Sequence, residues 1–245
     1  MTNNTSSQII ISFLNLNGLN SKYRGHKLDT HELQNLIFES DIFGLGETME
    51  TYSSNLFLEG YEVFNFSGFK KSKKGRSSGG FIILIKRWLM PFVKWLKSSR
   101  DHKYCKWLQL QLPGNEPLTL GFIYIPPADS NVHLYFEEPL FDTINEEIFE
   151  FKDQGLMLIL GDLNARLGNL KDDQDLEELS SFWKLDLSPR HNIDQTSNTF
   201  GMELLQLCYK QNMKILNGRW GDNSDKWTYV SDTGGTSVID WALAN

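Results

Sequence analysis

The feature that most constrains the fold of this chain is a series of ten apolar segments, none longer than eight residues, each bounded by turn-forming residues. They are IIISFL (9–14), DIFGL (41–45), YEVFNF (61–66), GGFIILIK (79–86), WLQLQL (107–112), LTLGFIYI (118–125), LMLIL (156–160), KILN (214–217), WTYV (227–230) and SVIDWAL (237–243). β-Branched and aromatic residues dominate them, so each reads as a strand. None approaches the length needed to cross a bilayer. Helical periodicity is confined to residues 28–40, to 135–152 with Phe136, Leu140, Ile144 and Ile148 on one face, and to 202–211, with Asn198 or Thr199 as its cap. Many strands with few interspersed helices predict two sheets flanked by helices rather than a strict βαβ repeat.

At 245 residues the chain is long enough for one large domain or two small ones. With 40% hydrophobic and 13% aromatic residues it can bury a substantial core, which argues against intrinsic disorder. The formal charge of −7 excludes a protein that coats nucleic acid by bulk electrostatics, so any phosphate-binding surface must be local. Cys105 and Cys208 show neither CxxC spacing nor a paired His, which supports no zinc site or disulfide framework and fits a reducing compartment. The opening MTNNTSSQ lacks a basic stretch followed by an apolar run, so residues 1–8 are expected to be a disordered N-terminus, and the chain soluble and intracellular with no membrane partner.

Several apolar segments end abruptly in oxygen-bearing side chains. LMLIL runs into Gly161, Asp162 and Asn164; IIISFL into Asn15, Asn17 and Gly18; DIFGL into Glu47 and Thr48; LTLGFIYI delivers Tyr124 before two prolines; SVIDWAL carries Ser237 and Asp240. Strand alternation would direct Asp162 and Asn164 to one side of the backbone. Taken alone, GDLN is equally an ordinary Gly-Asp turn. If the five ends meet at one rim, they offer hard oxygen ligands for a divalent cation and neutral donors for a phosphate, without sulfur or imidazole, which favours Mg²⁺ or Mn²⁺ over Zn²⁺.

The ordered set NLNGLN, GETM, GRSSGGFIILIK, FIYIPP, GDLNAR and SVIDWAL resembles the endonuclease/exonuclease/phosphatase superfamily, especially the apurinic-like endonuclease domain of non-LTR retrotransposons. The likeness spans about residues 9–243, and the string from Ser197 to Val230 is also similar to that branch. It implies an α/β fold of DNase I-like type, a four-layered sandwich of two mixed sheets packed face to face and flanked by helices. It further implies Mg²⁺ dependence, with Mn²⁺ as an alternative, and nicking of DNA beside a reverse transcriptase domain of the same polyprotein, acting in the nucleus.

Carried over residue by residue, the resemblance makes Glu47 the principal metal ligand with Asn15 beside it, and Asp162 the group that positions or deprotonates the attacking water. Asn164 and Tyr124 would hydrogen-bond the phosphate as charge builds, and Asp240 would orient a catalytic histidine. That histidine belongs to a Ser-Asp-His motif which this chain does not contain, so residues 9–245 are expected to be the domain without its last strand or strands. The five histidines, His26, His31, His102, His133 and His191, stand in other contexts and read as surface residues, His191 being the one nearest polar loop residues. Gly46 and Met49 depart from the residues usual in the family beside the metal-binding Glu.

Substrate contacts are expected from Asn17, Arg166, Asn198 and Ser237, and from Lys73 and Arg76 within the basic run FKKSKKGRSSGG (69–80), which reads equally well as a solvated loop. The stretch from Arg166 to Asn198 is a long surface excursion with an acidic face, KDDQDLEE. Two other functions stay open. One is a phosphatase or phospholipase of the same superfamily. The other is an inactive fragment or domesticated remnant that binds nucleic acid or protein without hydrolysis.

Overall fold

The computed structural model describes residues 8–21, 25–51, 56–70, 77–97, 103–135, 138–171, 190–219 and 226–245. The chain divides into two compact units, Met1–Val93 and Lys94–Asn245.

In the first unit, β1 (Ile11–Asn15) is followed by a short ribbon of β2 (Asn20–Ser21) with β3 (Gly25–His26), then α1 (His31–Phe38), β4 (Ile42–Gly46), β5 (Tyr61–Phe66) and β6 (Phe81–Lys86). The main sheet has the order β1-β4-β6-β5. β1 and β4 are parallel, with α1 in the connection, while β4–β6 and β5–β6 are antiparallel. Every residue of β4 is buried, as are the first five of β6, which explains why these strands read as continuous apolar runs rather than alternating ones. On one face of the sheet Phe43, Leu45, Tyr61, Ile82 and Leu84 cluster with Leu33 and Ile37 of α1. The Tyr61 hydroxyl lies 2.7 Å from the carbonyl oxygens of both Ile37 and Ser40, and burial together with the nearby Asp41 pushes its pKa up to about 12.

The second sheet has the order β11-β14-β10-β9-β8-β7, built from β7 (Val93–Leu96), β8 (Cys105–Leu110), β9 (Leu118–Tyr124), β10 (Leu156–Asp162), β11 (Lys214–Ile215) and β14 (Asp240–Ala244). A hairpin of β12 (Tyr229–Val230) and β13 (Thr236–Ser237) precedes β14. β9 and β10 are parallel, joined through α2 (Leu140–Phe151), while β8–β9, β10–β14 and β11–β14 are antiparallel. α3 (Thr199–Gln211) packs on α2 through Phe141 and Phe200, ring centroids 5.4 Å apart, and through Gln211 Nε2 donating to Asn145 Oδ1 at 2.9 Å. The buried Trp107 indole donates to the carboxylate of Glu147 at 2.9 Å, so this buried acid of α2 has a partner.

Nine of the ten expected segments overlap a described strand directly, while SVIDWAL is split between β13 and β14. Val238 and Ile239 leave the ladder because the Val238 amide donates to a side chain, Asp194 Oδ2, at 3.1 Å. The strand Val93–Leu96 was not anticipated, being four residues without clear alternation. Of the expected helix 135–152, α2 takes up Leu140–Phe151 with Pro139 as its N-cap, Tyr135 ends a short 3-10 turn (Asn131–Tyr135), and Phe136 lies outside the described residues. Among the described residues no helix is long and apolar enough to cross a membrane.

Candidate active site

In the first unit the parallel ladder pairs Asn15 with Gly46, so Asn15 and Glu47 lie at the carboxyl ends of adjacent parallel strands. This is where open α/β sheets place ligands. Past the strand ends the backbone is laced tightly: Leu16 N donates to Gly46 O at 2.9 Å, Gly18 N to Glu47 O at 2.7 Å and Leu19 N to Thr48 O at 2.8 Å. From the other side Thr48 N and Met49 N donate to Gly80 O and Gly79 O at 3.2 and 2.9 Å. Glu47 is held at φ 51° and Met49 at φ 59°, in the left-handed region that non-glycine residues rarely adopt. Such conformations persist only where surrounding bonds over-determine them, and they concentrate at functional sites.

Gly46 has a local explanation. A Cβ at this position would lie 2.7 Å from the tip of the Phe13 ring, which covers the strand from neighbouring β1. A longer side chain at this position therefore requires the Phe13 ring to shift.

The second unit brings three expected residues into one row. Asp162 is registered with Tyr124 on parallel β9 and with Asp240 on antiparallel β14. Residues so paired point to the same face of a sheet, about 5 Å from their neighbours. Asp162 is 4% exposed, and Tyr124 is buried with its ring stacked on Tyr104 at 5.9 Å.

Asn164 is reached by a turn rather than by strand alternation, because β10 ends at Asp162. Asn164 N donates to Asp162 Oδ1 at 2.9 Å, and Asn164 takes φ 47°. The first unit repeats this device: Asn17 N donates to Asn15 Oδ1 at 2.8 Å, again with φ 47° at the second residue. Such Asx turns use a short side-chain oxygen to imitate a backbone turn, and Asn tolerates the left-handed conformation they need. The Asn164 amide also donates to Ile125 O at 2.8 Å, which fixes its rotamer.

Asp240 is held from several sides. Thr228 Oγ1 accepts from Ile239 N and Asp240 N at 3.0 and 3.1 Å, and Asn217 Nδ2 donates to Asp240 O at 3.1 Å. Burial pushes the Asp240 carboxyl up to about 6, although its bond with the Thr228 side chain pulls the other way.

Of the expected substrate contacts, Arg166 and Asn198 have internal partners. Arg166 Nε and Nη2 donate to the two carboxylate oxygens of Asp194 at 2.8 and 2.7 Å, a bond that raises the guanidinium pKa further. Asn198 Oδ1 accepts from Arg166 N at 2.9 Å and caps α3 by accepting from Gly201 N at 2.8 Å, while its Nδ2 donates to Asn164 O at 2.9 Å. Ser237 is buried in the hairpin opposite Tyr229, and Asn17 is exposed. Lys73 and Arg76 lie outside the described residues, as does most of the acidic stretch 171–178.

His133 departs from the surface reading. It is partly buried, with Nε2 3.1 and 3.0 Å from Pro126 O and Pro127 O and its ring 5.8 Å from Phe200. His191 is exposed and lines a groove of about 420 Å³ with Asn192, Asn217, Lys226, Thr228 and Trp241. Asp194, Thr228 and Asn217 were not singled out by sequence. Each acts by bonding backbone of a distant segment, which leaves no periodic or motif signal.

The donors fit a hard divalent cation. Asn15 and Glu47 present an amide and a carboxylate at one strand-end pair, without sulfur. Among the described residues no three His, Cys, Asp or Glu side chains group as a metal cage.

Mixed sheets with flanking helices, in this order, define the DNase I-like α/β class. The profile of the Endonuclease/Exonuclease/phosphatase family matches residues 13–245, and the chain belongs to that family. The fold is shared with a 3′ phosphatase, NExo, from Neisseria bound to a product DNA hairpin: 16% identity, TM-score 0.59, covering 97% of this chain and 87% of that one. It is also shared with an AP endonuclease from Archaeoglobus fulgidus, at 14% identity and TM-score 0.55, covering 97% and 86%. No curated protein matches the sequence significantly. Members of the family are hydrolytic nucleases and phosphatases, generally dependent on a divalent metal.

Proposed function

We propose that this chain hydrolyses a phosphodiester bond in DNA with the help of Mg²⁺, as the endonuclease domain of a non-LTR retrotransposon. The observation that carries this reading is the registered row of Tyr124, Asp162 and Asp240, with Asn164 set beside it by the Asx turn. The likeness of that fold to a phosphatase bound to DNA and to an AP endonuclease supports DNA as substrate. The ordered strings GETM, GRSSGG, GDLNAR and NGRWGDN support the retroelement branch.

In this reading Glu47 and Asn15 would hold the cation, whose contribution when bound would be positive charge at a phosphate oxygen. Asp162 accepts a hydrogen bond from the attacking water and takes its proton. Asn164 keeps one amide proton beyond its bond to Ile125, and with the Tyr124 hydroxyl it donates to the phosphate as negative charge develops. Asp240 would orient the imidazole of a Ser-Asp-His motif of the family, fixing its tautomer through a carboxylate–imidazole bond. The reverse transcriptase domain of the same polyprotein is the proposed partner, and the nucleus the site of action.

The test is conversion of supercoiled plasmid to the nicked circle. Nicking that needs Mg²⁺ and is lost in both Glu47→Ala and Asp162→Ala is the expected result. No nicking, or equal nicking by the Glu47→Ala variant, overturns the proposal. Release of phosphate from a 3′-phosphorylated oligonucleotide without plasmid nicking places the chain in the phosphatase branch instead.

A further inference from the structure

The loop that carries Asp162 and Asn164 and the strand that carries Asp240 come from distant parts of the chain, and one buried carboxylate binds both. Asp194 is 1% exposed, and four donors converge on its two oxygens. Oδ2 accepts from Arg166 Nε at 2.8 Å and Val238 N at 3.1 Å; Oδ1 accepts from Arg166 Nη2 at 2.7 Å and Thr196 N at 3.0 Å. Arg166 closes the GDLNAR loop, and Val238 stands two residues before Asp240.

A carboxylate taken this far out of water is costly unless it is paired and hydrogen-bonded. Here burial alone would push the Asp194 carboxyl up, but the Arg166 side-chain bonds and the amides of Thr196 and Val238 outweigh it and hold it below the usual carboxylate range. The fork of Arg166 meets both oxygens at once, so the pair fixes orientation as well as distance. Two other contacts set the spacing of the same segments: Leu163 N donates to Ile239 O at 3.0 Å, and the Trp241 indole to Ala165 O at 2.8 Å. Asn198 holds the backbone of Arg166, accepting from its amide at 2.9 Å and donating to its carbonyl at 3.0 Å, and Asp194 ties that point through the guanidinium to the Val238 amide.

We propose that Asp194, acting through Arg166, is a positioning residue that locks the Asp162–Asn164 turn to the Asp240 strand, so that Arg166 serves the geometry of the site rather than gripping substrate. The catalytic part of this proposal rests on the hydrolase reading above. Misplacing a reacting group by about 1 Å costs on the order of 100-fold in rate while leaving substrate binding nearly intact.

The experiment compares the parent with Asp194→Asn, Arg166→Lys and Arg166→Met, first by amide hydrogen exchange and then by Mg²⁺-dependent DNA hydrolysis. Both Asp194→Asn and Arg166→Met are expected to lose protection at Val238 and Thr196 and also across residues 163–167, with the far-UV circular dichroism unchanged. In the catalytic arm kcat should fall by about 100-fold with KM within about twofold, and Arg166→Lys should recover part of the loss. A rise in KM at constant kcat for the Arg166 variants would make Arg166 a substrate contact and overturn the proposal, as would kcat unchanged in Asp194→Asn. If the parent does not hydrolyse DNA, the hydrolase reading fails and exchange alone decides: deprotection limited to Val238 and Thr196, with 163–167 unaffected, refutes the lock. Should Asp194→Asn fail to fold, the Arg166→Lys and Arg166→Met pair carries both arms.

Discussion

Asp162 on β10 and Asp240 on β14 stand opposite one another as registered partners on antiparallel strands. Like charges directly opposite in a sheet are unfavourable, and burial pushes the Asp240 carboxyl up to about 6. Below about pH 4 the carboxyl is protonated in both the folded and unfolded chain. As pH rises the unfolded chain ionises first while the folded chain keeps its proton, so stability falls across the window up to about pH 6 and stays reduced above it. Asp240→Asn removes the ionisation. Its melting temperature relative to the parent should therefore be higher at pH 8 than at pH 4, and a difference that is constant across pH would contradict this.

Gly46 lies beneath Phe13, with a hypothetical Cβ only 2.7 Å from the ring tip. Gly46→Ala should destabilise the chain by about 1–3 kcal/mol through overpacking. Combining it with Phe13→Leu, which lacks the ring tip, should recover most of that loss. Urea denaturation of the two single variants and the double variant measures the coupling, and strict additivity would show that the ring swings aside freely.

Asn198 joins the cap of α3 to the turn after β10, using one oxygen for two amides. Asn198→Ala should cost about 2 kcal/mol, the loss of a helix cap and a further hydrogen bond. Asn198→Asp keeps the oxygen and forfeits only the bond to Asn164 O, so its loss should be less than half as large. Equal losses in chemical denaturation would assign the stabilisation to the amide nitrogen instead.

Glu47 provides the carboxylate of the proposed cation site. Addition of Mg²⁺ at about 100 times its Kd should stabilise the folded parent by about 2.7 kcal/mol, seen as a rise in melting temperature. Glu47→Gln keeps the shape and removes the charge, so the rise should disappear at the same Mg²⁺ concentration. A retained rise would locate the cation elsewhere.

The legible parts of the molecule were those in which neighbours in sequence are neighbours in function. The apolar runs gave the strands: β4 and nearly all of β6 are buried and need no alternation to be recognised. GDLN and NLN were visible because an Asx turn is local, closing within two residues. Strand alternation was the wrong reason for pairing Asp162 with Asn164, since the strand has ended before Asn164 and a left-handed turn intervenes. Segment SVIDWAL looked like one strand, yet the Val238 amide is drawn from the ladder by a carboxylate 44 residues away in sequence.

Sequence by itself carried the family, through the resemblance of its ordered motifs, and it determined the strand content and the oxygen-bearing residues at each strand end, because local composition and turn chemistry dictate those two. Tertiary structure decided which of those residues share a row: Tyr124, Asp162 and Asp240 are registered only by the parallel and antiparallel ladders of β9, β10 and β14. It also decided the partners of Arg166 and Asn198, both expected as substrate contacts, which bind Asp194 and the cap of α3. A buried carboxylate must collect donors wherever the fold brings them, and the distance along the chain to those donors leaves no mark in the sequence around it.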